Sequence, residues 1–399
     1  MTVSAVDRLT PPRLSQRAKP QLVLDCRWLE RGGVGMATEL TLRAFAQLHD
    51  AGELDMPMTL RGDRAKLTSF AWPTATIEDD RSDPHQWLGQ RGWQHDDGRV
   101  EMAFHQLRPL SKRPRVQWLH DLIPVHFARS ALDRRLRLEY LRRIVATSDQ
   151  LIVVSQHTFR CAVDELAADP SRMTVVSYPP DLELLAEVET RRSELPQADR
   201  LLFVGRFARH KNLDRLIAAF SRTDFRRNGG TLHLVGGTTS QLRELQARHD
   251  LLALRVEIEG TVPRSRIVDL FATSVALIQP SLEEGFGLPV WEAQTIGLPV
   301  ITADAGSLPE LVPDPDFRFD PMDTVAIGEA IDRVVTPDQS RRPFTRPDGP
   351  SLMEFGAQVE RTLSSTFPSK TSPNRSITRN IGSNDKDFQF TLLSKNELP

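Results

Sequence analysis

Two cysteines in 399 residues, Cys26 and Cys161, fall in no C-x-x-C pair, which excludes a disulfide framework and a cysteine-held zinc site. A reducing, cytoplasmic compartment fits that usage. Long apolar runs are missing too: the stretch Leu201 to Val204 breaks at Gly205, far short of the ~18 consecutive apolar residues that a membrane span needs. Residues 1–20 carry Arg8, Arg13, Arg17 and Lys19 among three prolines and lack the apolar core of a secretory signal, so they are read as a mobile leader. Charge of one sign is absent as well. Lys and Arg total 51 against 53 Asp and Glu, and this balance gives no electrostatic ground for a nucleic-acid partner. Lysine supplies only seven of those 51 cations, a skew attributed to genomic base composition.

What is present is a globular composition. Hydrophobic residues make up 39% and 22 glycines accompany them, an apolar share of about 44% that allows a large core. From Arg200 onward short apolar runs alternate with helical patterns: Leu201–Val204, a helix over Leu213–Phe220, Leu232–Val235, a helix over Gln241–Arg248, Val256–Ile258, a helix over Arg264–Thr273, Val275–Ile278, a helix over Pro289–Ile296, then Val300–Ile301. This order predicts a parallel sheet with helices on both faces. The first half reads alike, with strands at Leu22–Asp25, Val100–Phe104, Val116–Leu119 and Leu151–Val154 and helices over Met36–Leu48 and Leu132–Ala146. The fold class is therefore α/β with two Rossmann-like units: a first domain over 21–183, a linker over 184–199 and a second domain over 200–345. A helix over 346–366 is expected to return to the first domain. Residues 367–399 differ in composition, holding Asn374, Asn380, Asn384 and Asn396 of the chain's six asparagines, and are expected to be a disordered tail.

Two such sheets create a cleft at their strand ends, where nucleotides bind. After Leu201–Val204 comes Gly205-Arg206-Phe207-Ala208-Arg209-His210-Lys211-Asn212, in which Arg206 and Lys211 can converge on a pyrophosphate at a helix N-terminus. After Val275–Ile278 comes Glu284-Gly285-Phe286-Gly287-Leu288-Pro289, with Glu292 eight positions beyond Glu284. Ionised carboxylates offer only acceptors, which suits sugar and ribose hydroxyls. Read alone, the two cations are also compatible with a solvated loop and the glutamates with a solvated helix face.

Together and in this order the two motifs resemble the retaining glycosyltransferases of family 4, of GT-B fold, over roughly residues 21 to 365. The resemblance implies that Arg206 and Lys211 hold a donor diphosphate, that Glu284 contacts the transferred sugar, that Glu292 contacts the ribose, and that Gly205, Asn212, Gly285, Phe286, Gly287 and Leu288 complete the donor site. Gly32-Gly33-Val34-Gly35 resembles the family's first glycine-rich loop, placing Gly33 and Gly35 by the donor phosphates. Trp118-Leu119-His120-Asp121-Leu122-Ile123-Pro124 resembles a motif of the branch with many mannosyltransferases, which places His120 near the sugar and Asp121 on the acceptor side. One departure is that Met36-Ala37 follows Gly35 where this branch often carries Arg-Tyr. Pro313-Asp314-Pro315-Asp316 contains a D-x-D, read as a turn. The expected reaction is retaining, metal-independent transfer of a hexose, mannose being one choice, from a nucleoside-diphosphate sugar to a carbohydrate or lipid-linked acceptor in polysaccharide or glycolipid assembly. No cofactor is expected, since the nucleotide sugar is a substrate. The alternative is a non-catalytic nucleotide-sugar-binding or scaffold protein. No strand leads into G-x-G-x-x-G with a following acid, which removes a dinucleotide oxidoreductase.

Between 132 and 145, Leu132, Leu136, Tyr140, Leu141, Ile144 and Val145 share a helical stripe, and Arg134, Arg135, Arg137, Arg142 and Arg143 crowd the other faces. Two readings stand: a helix packed on the first sheet with a solvated arginine face, or peripheral contact with an anionic membrane.

Overall fold

The computed structural model of the chain describes residues 21–30, 32–81, 99–105, 114–335 and 348–366. The expected leader 1–20, the tail 367–399 and residues 336–345 of the second domain lie outside the described residues. The first sheet comprises β1 (Leu22–Asp25), β2 (Met58–Gly62), β3 (Ala75–Asp79), β4 (Val100–Ala103), β5 (Arg115–Leu119), β6 (Gln150–Val153) and β7 (Met173–Val175), in the order β3-β2-β1-β4-β5-β6-β7. The second comprises β8 (Arg200–Val204), β9 (Thr231–Gly237), β10 (Val256–Gly260), β11 (Ala276–Gln279), β12 (Val300–Ala303) and β13 (Arg318–Phe319), in the order β10-β9-β8-β11-β12-β13. All these strands pair in parallel. The burial that helices on both faces impose shows in the central strands, where every residue of β1, β4, β5, β11 and β12 is buried.

Strand order reverses between β1 and β4 and again between β8 and β11, the points at which open sheets of this kind leave a crevice. Residues 184–199, the expected linker, are mostly helical. The helix Leu182–Glu194, capped by Asp181 through the Leu184 N–H, runs through most of them, and its Leu184 and Val188 enter the second domain's core. The glycine stretch also differs from the expected loop: Gly32–Asp50 is one helix, and Gly33 and Gly35 lie in its first turn.

The helix Leu352–Ser364 packs on the helix Gly32–Asp50, where Gly356 faces Ala44. Its Phe355 is fully buried near Trp118 and Tyr178, with ring centroids 6.4 and 6.3 Å away. The helix Ala131–Ala146 buries only the second half of its apolar stripe. Leu141, Ile144 and Val145 are inside, while Leu132 and Leu136 are 66% and 41% exposed. Among the described residues no helix is long and apolar enough to cross a membrane.

Removing a fully buried ring leaves a cavity as well as a lost transfer term. Phe355→Ala should therefore lower the stability of the first domain by about 3–5 kcal/mol in denaturant unfolding. Leu132→Ala, at an exposed position, should change it by less than ~0.5 kcal/mol.

Candidate functional site

The turns after β8 and β11 meet at the second switch point. The Leu282 N–H donates to the His210 carbonyl at 2.8 Å, and the Asn212 side-chain amide donates to the Pro280 and Pro321 carbonyls at 3.2 and 2.7 Å. Asn212, with φ +58°, is thus a scaffold residue: its side chain holds the two loops together and is not directed at a ligand. Lys211, in the short helical turn Arg209–Lys211, sends its Nζ to Glu284 Oε1 at 2.5 Å. The same oxygen accepts from Gln279 Nε2 at 2.6 Å and Ser281 Oγ at 2.7 Å. Burial pushes the Glu284 carboxyl up, but the Lys211 charge and these three donors outweigh it and hold the carboxyl below its ordinary value. Arg206 is exposed and has no ion pair among the described residues. Lys211 is therefore already committed to Glu284, whereas Arg206 is available.

Gly285 and Gly287 have different reasons to be glycine. A Cβ on Gly285 would lie 2.1 Å from the His120 carbonyl oxygen of the first domain, so the two backbones approach too closely for any side chain. Gly287 has φ +100° as the N-cap of the helix Leu288–Thr295, a conformation that L side chains avoid. Thr158 reinforces the contact, its Oγ1 donating to the His120 carbonyl at 3.1 Å and standing 3.4 Å from the Gly285 carbonyl. Gly33 of the first domain lies against Leu288, whose Cδ1 is 3.7 Å from where its Cβ would be. Phe286 is not at an open ligand surface. Its ring is buried edge-on against Tyr178 at 4.9 Å and near Trp291 at 5.7 Å.

His120 follows β5 and is half-buried, its Nε2 2.7 Å from the Phe104 carbonyl. That contact makes Nε2 the protonated nitrogen and leaves Nδ1, 3.5 Å from the Tyr178 hydroxyl, as the acceptor. Desolvation lowers its pKa to about 4 despite the Phe104 hydrogen bond, so the ring is neutral across the physiological range. Asp121 is raised to about 6 by burial first and then by Glu283 and Glu284, against the Ile123 N–H and Lys211. Glu292 stands apart from Glu284. It lines a cavity of about 270 Å³ with Leu184, Val204, Val262, Arg264 and Ile267, and burial, with Asp181 adding and Arg264 opposing, raises its pKa to about 7. The D-x-D serves its own turn, with Asp314 Oδ1 accepting from the Asp316 N–H at 3.0 Å. Sequence reasoning did not find Gln279, Ser281, Tyr178 or Thr158. Their roles depend on contacts that carry no local motif.

This arrangement is set beside known proteins by three kinds of match. Residues 188–346 match the family model described as glycosyl transferases group 1. Through its second domain the chain is similar to group 1 glycosyl transferases. A D-inositol 3-phosphate glycosyltransferase of Corynebacterium aurimucosum is 29% identical over 253 residues, which cover 58% of this chain and 57% of that protein. An enzyme of the same description from Catenulispora acidiphila is 30% identical over 254 residues, covering 58% of this chain and 56% of its own length. The chain thus spans little more than half the length of these curated relatives. Among solved structures, Anabaena HepE in complex with UDP and glucose superposes with a TM-score of 0.64 at 19% identity, covering 87% of this chain and all of that one. Sucrose-phosphate synthase from Thermosynechococcus elongatus gives 0.61 at 17% identity, covering 88% and 95%. The fold is GT-B, with the two parallel sheets facing across the cleft just described.

Asp121 yields a test of the local electrostatics. Its raised pKa means that the folded state holds more protons than the unfolded state between about pH 4 and pH 6, so the penalty of its charge is absent below that window and complete above it. Asp121→Asn should raise the melting temperature at pH 7.5, and the gain should shrink at pH 5. A gain that grows on acidification would contradict the assigned repulsion from Glu283 and Glu284.

Proposed function

We propose that the protein transfers a hexose from a nucleoside-diphosphate sugar to an acceptor hydroxyl with retention of anomeric configuration. The observation that carries the reading is the convergence, at one switch point, of the exposed Arg206, the Lys211–Glu284 pair and the N-terminus of the helix Leu288–Thr295. A departing diphosphate needs fixed positive charge and dipoles held in place beforehand, and these groups supply it. Arg206 and the helix N-terminus can stabilise the leaving group without a metal, so transfer is proposed to be metal-independent. Glu284 acts as an acceptor for hydroxyls of the sugar. One of its oxygens already receives three donors, which suits a positioning carboxylate better than a nucleophile. His120, neutral and with Nδ1 unprotonated, lies on the opposite wall, and the cavity beside Glu292 suits the nucleoside. The similarity to D-inositol 3-phosphate glycosyltransferases makes a polar hydroxylated acceptor a reasonable class, and mannose stays one choice of sugar among hexoses.

The test is release of free nucleoside diphosphate when purified protein meets a panel of UDP-, GDP-, ADP- and dTDP-sugars with a polyol acceptor, with and without EDTA. Arg206 has no ion pair to lose, so Arg206→Ala should cost about tenfold to a hundredfold in kcat/KM, as one charge-assisted contact of roughly 1.5–3 kcal/mol implies, with no loss of fold stability. Glu284→Gln should lower turnover while nucleoside diphosphate still binds. EDTA should leave the rate unchanged. Binding of nucleotide sugar with no release under any condition would favour the scaffold reading.

An acceptor linked to lipid is supported by the two exposed leucines, Leu132 and Leu136, on a helix with exposed arginines. The support is restrained by local pairing, since Arg137 Nε meets Asp133 at 2.6 Å and Arg134 approaches Glu165 at 3.4 Å. At low salt the protein should co-sediment with phosphatidylglycerol vesicles, and Leu132→Ser with Leu136→Ser should stay in the supernatant. A wild type that ignores such vesicles would place the acceptor in solution.

A further inference from the structure

A second cluster of titratable groups crosses between the domains beside the donor loop. His126 ends the short helix Ile123–His126, six residues after His120. Its Nδ1 lies 2.7 Å from Glu283 Oε2 of the second domain and its Nε2 lies 2.6 Å from Glu165 Oε1 of the first. A neutral imidazole has one N–H, so two ionised carboxylates at these distances require the doubly protonated ring, which donates to both. Glu283 is the residue before Glu284 and its side chain is only 8% exposed; that of His126 is 23% exposed. Water is thus largely kept from the pair, and its attraction exceeds that of a surface ion pair.

Resting on the transferase reading, we propose that His126 is a positioning residue: by bridging Glu165 and Glu283 as an imidazolium, it clamps the His120–His126 segment to the donor loop and sets His120 opposite Glu284. The geometry supports this from both sides. Glu284 is anchored within its own domain by Lys211, Gln279 and Ser281, and His120 within its own by Phe104. The Gly285 contact with the His120 carbonyl sets a minimum separation between the two segments, and the His126–Glu283 pair supplies attraction next to it.

The other charged groups around the clamp act in both directions: the carboxylates favour the charged ring, and the nearby cations oppose it. His157 places its Nε2 3.9 Å from Glu283 and 3.6 Å from Cys161 Sγ, and Arg134 stands 3.4 Å from Glu165. Asp121 and Glu284 add negative charge next to Glu283, Lys211 is held by Glu284, and His210, whose ring faces Phe127, is kept neutral by burial and Lys211. The Glu283 contact, opposed by burial and aided by Glu165, raises His126 to about 9, and Cys161 first and Glu283 second raise His157 to about 9. Both are raised above the ordinary histidine value, so the clamp is complete below about pH 6.5 and is lost as pH rises through about 9.

The experiment compares wild type, His126→Arg, His126→Gln and Glu283→Gln in turnover against pH, in nucleoside-diphosphate affinity measured with UDP and GDP, and in small-angle scattering at pH 8 and pH 10. Wild-type kcat should fall about tenfold across a limb centred near pH 9, as the ring loses the charge-assisted contact that holds the segment. Arginine stays charged, so His126→Arg should keep activity at pH 8 and move that limb upward, leaving only the part due to His157. His126→Gln and Glu283→Gln should both start about tenfold low at pH 8, bind diphosphate as the wild type does, and cost no more when combined. An unmoved limb in His126→Arg, or additive losses in the double variant, would overturn the proposal. Scattering separates this outcome from failure of the transferase reading. If no sugar donor is turned over, a wild type that expands between pH 8 and pH 10 while His126→Arg does not still supports the clamp, and identical profiles refute it.

Discussion

A buried carboxylate, that of Glu284, organises the cleft. Its residue is 7% exposed, and an ionised carboxylate removed from water must be met by donors or it will neutralise. Three side chains meet it, and each comes from a place the fold must then hold: Gln279 at the end of β11, Ser281 in the following turn and Lys211 from the turn after β8. Satisfying one carboxylate therefore ties two non-consecutive loops together. Asn212 completes the tie by donating to the Pro280 and Pro321 carbonyls. The consequence for chemistry is a loop whose charged groups are held in place before any substrate arrives, the condition under which electrostatic stabilisation of a leaving group is most effective.

The same loop continues into the contact between domains. Immediately after Glu284, Gly285 meets the His120 backbone, Phe286 enters an aromatic cluster with Tyr178 and Trp291, and Trp291 Nε1 donates to the Pro179 carbonyl at 3.2 Å. Tyr178 stacks in turn near Trp118, 6.4 Å between centroids, and both neighbour Phe355 of the last described helix. Two side chains of the second domain thus lie in the core of the first. The position of Leu352–Ser364 follows from this: its Phe355, Val359 and Leu363 join the same buried cluster.

Much of this was legible from residue order, because central parallel strands are apolar runs and their helices have a 3.6-residue period. The helix Arg264–Thr273 was read with its observed bounds, and Ala131–Ala146 and the strands β1, β8 and β11 within a residue or so. The strands that escaped notice are those without such a run. β3 (Ala-Thr-Ile-Glu-Asp) and β7 (Met-Thr-Val) are edge strands buried on neither face throughout, β13 (Arg-Phe) is a two-residue edge strand, and β2 ends in Arg61-Gly62. The expected linker escaped for a similar reason: Leu182–Glu194 buries only Leu184 and Val188, so its polar surface concealed a helix. In the site, the motifs located Lys211 and Glu284 but not their mutual bond, since spacing along the chain says nothing about which groups pair across a sheet. His126 and Glu283, 157 residues apart, had no local signal at all.

Charge and apolar contact divide the work of docking the domains. The aromatic cluster lies where the chain itself crosses, at Tyr178 to Pro180, and water offers no substitute for its contacts. The polar contacts are of another kind. Glu310 of the second domain accepts from the Gln156 and His157 N–H groups at 2.9 and 2.6 Å, filling the first turn of the helix Gln156–Leu166, whose Thr158 N–H is already taken by Ser155. Both partners of that contact are solvent-accessible, so water can replace either one at a net cost of about 1 kcal/mol per hydrogen bond. The His126–Glu283 pair falls between these limits, too buried for water to replace freely and too ionic to survive loss of a proton. Proton activity therefore acts on the contact next to Glu284 while leaving the aromatic cluster intact, so protonation of His126 can set the geometry of the cleft while the apolar contacts still join the domains.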